Sequence, residues 1–198
     1  MMEQEKELTK EQSLELITSM INKAKNDIFI TGLSALLWGS VVIICSLVTY
    51  ANYYLNWNIL AYIWWLTAIA VVPQIVISIR ESKEKKFKAR EDDLYGGIWI
   101  SYAIAIFLFS YLAAAHPIEQ VAAIYLTLYG IPTFATGYGR RFKPMLIGGI
   151  ACWVFAVLSL YTPYPYIMFL LAAGGLLAWF IPGLILRNRY LKAKRQNV

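Results

Sequence analysis

Apolar residues fall in long runs separated by short polar intervals, and the runs have the length of membrane spans. Six can be marked off, at about 28–50, 58–79, 94–115, 117–138, 145–161 and 164–186. A helix of about 20 apolar residues crosses the roughly 30 Å of bilayer hydrocarbon, so most of the runs suffice and the fifth sits at the short limit. Ahead of them, residues 9–26 place Leu14, Ile17, Ile21 and Ala24 every three or four positions, as an amphipathic helix does. Thr9 and Gln12 fit its capping box. The pattern predicts an all-α integral membrane protein: a six-transmembrane-helix bundle preceded by an amphipathic helix at the cytoplasmic surface or interface. Three regions follow: 1–27 as the amphipathic helix, 28–186 as the six-span domain, and 187–198 as a basic cytoplasmic tail.

Charge gives these spans a direction. Of the 18 Lys and Arg, four precede the first run, six lie in 80–93, three join the fourth and fifth runs, and five follow the sixth. The alternate loops hold none, so the bias of basic residues toward inside loops places both termini in the cytoplasm and the chain in the cytoplasmic (inner) membrane. The net charge of +6 is thereby accounted for by orientation and lipid headgroups, and nucleic acid is not an expected partner. The polar amino terminus lacks the pattern of a cleaved signal, so the first span is expected to be retained. Tyr50, Tyr53, Tyr54, Trp57, Tyr161, Tyr164 and Tyr166 crowd the opposite ends of the spans, as an interfacial belt or a cage for a cation. Cys45 and Cys152 lie inside apolar runs and read as packing residues.

The even runs each carry a proline, Pro73, Pro132 and Pro182, and the odd runs carry Gly39, Gly96-Gly97 and Gly148-Gly149. The spacing suggests three helical hairpins on one plan, parallel copies related about the membrane normal. The prolines are either packing kinks or bends that open a cavity. Ala35 with Gly39, Ala135 with Gly139, and Gly174 with Ala178 have the spacing that lets helices approach closely, inside one bundle or between two copies.

Chemistry is sparse. No Asp, Glu, Lys, Arg or His falls in the middle of a run, which argues against proton-driven transport but leaves hydroxyls and amides to bind a neutral solute. Gln74, Thr133 and Trp179, beside the prolines, are the candidate ligand residues. His116 and Glu119 form an outer polar pair on the first turn of the fourth span. Two such groups make neither a metal site nor a triad, so no catalytic residue, metal or cofactor is expected. In size, span number and orientation the chain resembles the small substrate-capturing subunits of vitamin uptake transporters. These are six-helix bundles whose first helix uses small residues to dock a partner, and Ala35-x-x-x-Gly39 lies where that feature would be; no ligand residues carry over. The expected function is binding, or binding and translocating, a small neutral or weakly polar molecule in an intramembrane cavity, within a transport complex. The alternative is a scaffold or sensor that binds a cytoplasmic partner through the amino-terminal helix and the 80–93 loop. Neither is an enzyme. The expected partners are the lipid bilayer, a small neutral ligand, and a second copy or another membrane or cytoplasmic protein.

Overall fold

A computed structural model describes residues 31–55, 62–84, 90–116, 118 and 120–196, with Thr9 and Leu14. Among these residues every regular element is helical. They are α1 (Leu33–Leu55), α2 (Trp65–Glu84), α3 (Arg90–Ala115), α4 (Val121–Gly139), α5 (Lys143–Ser159), α6 (Ile167–Gly175), a π segment (Leu176–Phe180) and α7 (Ile181–Gln196). The expected amino-terminal amphipathic helix lies almost wholly outside the described residues. Four stretches are long and apolar enough to cross a membrane: Leu33–Leu55, Trp65–Lys83, Asp93–Ala115, and Ile167–Arg195 running through α6, the π segment and α7. The chain is therefore a membrane-embedded protein. Helix α5 is apolar but has 17 residues, and α4 has 19.

The local chemistry explains the ends. Thr31 Oγ1 accepts the Leu33 N–H at the start of α1, and Gly32 takes φ 72, a left-handed conformation that costs glycine nothing. Helix α4 begins at Val121, four residues later than the apolar run, because Gln120 turns left-handed at φ 61. It ends in a Schellman turn, with Arg141 at φ 51, Phe142 N–H on Gly137 O at 2.8 Å and Arg141 N–H on Tyr138 O at 3.1 Å. Pro144 then sits in the first turn of α5, where its missing N–H has no helical partner to lose. The resulting short connection makes α4 and α5 antiparallel neighbours. Their seam is the most extensive in the molecule.

Glycine sets how closely the central helices approach. A Cβ at Gly149 would stand 2.8 Å from the Phe134 backbone nitrogen, and one at Gly137 would stand 2.6 Å from that of Leu146. Gly39 of α1 faces Phe180 and Gly148 of α5 faces Leu177 and Ala178, so the π segment is gripped between two glycines. Ala35, Gly39, Gly139, Gly174 and Ala178 all make contacts inside the chain, the first of the two uses open to the small-residue motifs. The π segment itself stands directly before Pro182. A proline crowds the turn that precedes it, and the wider turn makes room for the ring.

Helices α2 and α3 lie outside this core. Each makes one extensive seam, α2 with α1 and α3 with α4, and among the described residues of the two helices only Ala70 is fully buried. The two ends of the molecule also differ. At one, Thr31 donates to Glu81, Arg140 stacks on the Tyr95 ring at 4.5 Å, and Arg189 stacks on Phe142 at 5.2 Å. At the other, Tyr50 meets Phe169 at 4.3 Å and Tyr53 meets Tyr164 at 5.4 Å, while the Tyr54 and Tyr166 hydroxyls are 3.2 Å apart.

Candidate functional site between the third and fourth helices

Helix α3 is apolar on all sides, and four of its six aromatic residues lie on one half-buried face while Phe107 and Tyr111 stay exposed. Tyr95, Trp99, Tyr102, Ile106 and Phe109 recur at steps of three and four, and this face meets α4. The α4 residues opposite are Arg140, Thr136, Thr133, Tyr129 and Tyr125. Arg140 covers the Tyr95 ring, Trp99 Nε1 donates to Thr136 Oγ1 at 3.1 Å, and Ser110 and Tyr125 share a 2.8 Å hydrogen bond. Because Ser110 Oγ donates to Ile106 O at 2.7 Å, the Tyr125 hydroxyl is the donor in that pair. Each step along α3 is matched by an equal step back along α4, as antiparallel helices in one register require.

The ladder of polar contacts is interrupted in the middle. The same register sets Tyr102 opposite Thr133 and Ile106 opposite Tyr129. Thr133 is fully buried, donating to Tyr129 O at 2.8 Å and accepting from Trp179 Nε1 at 3.0 Å, so it has turned toward the π segment. The hydroxyls of Tyr102 and Tyr129 have no hydrogen-bond partner among the described residues, although Tyr129 is only 5% exposed. Around them the rings close in: Tyr129 to Trp179 at 4.6 Å, Tyr102 to Trp179 at 6.3 Å, and Tyr102 to Tyr129 at 6.5 Å. Neither hydroxyl is fully enclosed by protein, but in hydrocarbon a hydroxyl without a partner costs about 1–3 kcal/mol, so two of them in one stretch of a seam require a reason.

Two of the three candidate ligand residues thus meet here. Thr133 and Trp179 bond to each other and form the wall of the site. Gln74 belongs elsewhere: its Nε2 donates to Ser34 Oγ and Ser78 Oγ, each at 3.0 Å, and its Oε1 accepts from Trp38 Nε1 at 3.0 Å. With both amide hydrogens and the carbonyl engaged, Gln74 staples α2 to α1, beside a second staple from Trp64 Nε1 to Thr49 Oγ1 at 3.0 Å. The prolines divide likewise, Pro132 and Pro182 buried and Pro73 exposed. His116 does not open α4 as expected. It closes α3, its N–H on Leu112 O at 2.9 Å and its side chain exposed, while Glu119 lies outside the described residues.

Tyr102 and Tyr129 were not among the candidate residues. The signal that finds them is the three- and four-residue spacing of Tyr95, Trp99 and Tyr102 on α3 and of Tyr125, Tyr129 and Thr133 on α4, which a count of apolar residues hides. Elsewhere, an open depression of about 370 Å³ between α4 and α5 is lined by Ala123, Thr127, Trp153, Ala156, Val157 and Leu160. Its polar groups are already used, Thr127 Oγ1 on Ala123 O at 2.8 Å and Trp153 Nε1 on Thr127 O at 3.3 Å. Among the described residues no three His, Cys, Asp or Glu side chains gather as metal ligands. No protein-family model, curated protein or solved structure matches the chain.

Proposed function

We propose that the protein is a six-span protein of the cytoplasmic membrane that binds, and on binding carries or hands on, a small neutral molecule held between α3 and the core. The observation that supports this most is the interrupted ladder, where two phenol hydroxyls stand unspent beside a tryptophan. No charged residue occupies the interior stretches of α3, α4 or α6, so the contacts available there are non-ionic, which supports a neutral ligand.

In this reading α4 and α5 complete the six spans, and the hairpins are α1 with α2, α3 with α4, and α5 with α6 through α7. Equivalence of the three hairpins rests on sequence spacing alone, since their glycines and prolines have unlike surroundings. The end that carries Arg140, Arg187 and Arg189 is cytoplasmic, following the asymmetry of basic residues. Thermal unfolding of the purified full chain against a panel of small uncharged compounds tests the reading. At least one compound is expected to raise Tm in a saturable way, and a panel with no effect would overturn it.

A second reading, a scaffold or a subunit of a larger complex, is favoured by one observation. Gly96 and Gly97 of α3 have nothing within 4 Å of where a side chain would stand, unlike the glycines of the core, and Ser101 one turn on is also exposed. Such a face suits close approach by another transmembrane helix. Cross-linking from Ser101→Cys to a second chain in native membranes would support it, and labelling by lipid-soluble reagent alone would oppose it.

A further inference from the structure

We propose that the gap in the α3–α4 ladder is the binding site of a planar, uncharged, carbonyl-bearing molecule that dissolves in the bilayer. Tyr102 and Tyr129 donate hydrogen bonds to its carbonyl, and Trp179 packs against its ring. The proposal rests on the small-molecule reading above and supplies its site and ligand class.

Each feature of the ligand follows from a feature of the gap. The ladder contacts on either side, Trp99 with Thr136 and Ser110 with Tyr125, fix the register, so α3 cannot slide to bring the two unspent hydroxyls to other partners. Thr133 is unable to serve them, because its hydroxyl is held by Tyr129 O and Trp179 Nε1. Two donors with nothing to donate to call for an acceptor, and a carbonyl oxygen, with two lone pairs, takes both. A ligand hydroxyl that accepted from both phenols would have its own hydrogen left to place, whereas a carbonyl has none.

The surrounding rings, with centroids 4.6–6.5 Å apart, set the shape. Rings at this separation favour tilted and edge-on packing, an arrangement that a further flat ring joins and a bulky aliphatic cage does not. Absence of Asp, Glu, Lys, Arg and His from residues 99–110 of α3, 125–136 of α4 and the π segment sets the charge, since an ion there would be desolvated without a counter-ion. The route follows from the seams. Helix α3 has α4 as its one extensive neighbour, and hydrogen bonds between membrane helices average only about 0.6 kcal/mol, so the helix that covers the gap is the one most easily parted from the core. Entry is from the lipid.

The test uses menadione, a flat, uncharged dicarbonyl, titrated into the full chain in lipid nanodiscs with tryptophan fluorescence as the readout. Quenching by the intact protein is expected to saturate. Tyr102→Phe and Tyr129→Phe should each weaken the apparent affinity roughly tenfold, the equivalent of one hydrogen bond, and Trp179→Phe should remove part of the quenching amplitude. Tyr102→Phe changes a peripheral helix, so it reports on the site even if Tyr129→Phe disturbs the core. Saturable binding that neither phenylalanine weakens would overturn the site while the broader reading stands. Quenching that only rises linearly with menadione would overturn the ligand class. A panel of neutral compounds that leaves Tm unmoved would, separately, remove the reading beneath it.

Discussion

The seam between α4 and α5 and the seam between α3 and α4 join antiparallel neighbours by opposite means. The first is built on glycine: Gly130 lies under Trp153, Gly137 under Met145 and Leu146, and Gly149 under Phe134, so backbone comes close to backbone. The second is built on the tips of long side chains, with Arg140 over Tyr95, Trp99 on Thr136 and Tyr125 on Ser110. In lipid there is no gain from hiding apolar surface, because the solvent is as greasy as the protein, so helices are held by close packing or by polar contacts. Close packing is continuous and rigid. Polar contacts are discrete, and one can be left out to make a site. The α1–α2 seam, with its Gln74 and Trp64 staples, is of the second kind.

The sharpest way to break this contrast is to spoil a glycine seam. Gly148→Leu would place side-chain atoms against the Leu177 carbonyl and the Ala178 Cα, neither of which can give way, and should cost about 3 kcal/mol in reversible denaturation in mixed micelles. A smaller loss is expected on a polar seam. Gln74→Leu removes the two bonds that cross from α2 to α1, worth together about 1 kcal/mol, and should increase cysteine cross-linking heterogeneity between α1 and α2 without unfolding α4 and α5. The least effect belongs to Gly97→Leu, whose new side chain meets nothing, and stability should stay within about 0.5 kcal/mol. A Gly97→Leu variant as damaged as Gly148→Leu would show that α3 is packed against something on both faces.

The sequence made the rods readable and the seams largely unreadable. Runs of apolar residues mark where helices must be, because backbone groups in lipid have to be satisfied within the segment. Their ends shifted where a single residue chose a left-handed conformation, as Gln120 did, and hydropathy carries no trace of that choice. The π segment escaped notice for a similar reason, since Leu176–Phe180 reads as any other apolar stretch until Pro182 and the two glycines that grip it are placed together. Thr133 and Trp179 were legible as polar groups near prolines. That they would bond to each other was not, because the pairing spans 46 residues and depends on how α4 meets the π segment. Gln74 shows the same limit from the other side: its polarity was plain, and its saturation by three neighbours was a matter of tertiary placement.

One distance measurement bears directly on the claim that α3 is a separable cover over a binding gap. Spin labels at Leu108 on α3 and Val157 on α5, both exposed, would be compared with labels at Ile44 on α1 and Val157, in a chain with Cys45 and Cys152 replaced by alanine. The distance distribution for the α3 pair should be the broader of the two and should narrow when menadione is added, while the α1 pair stays narrow throughout. Equal widths for both pairs, unchanged by menadione, would contradict the account.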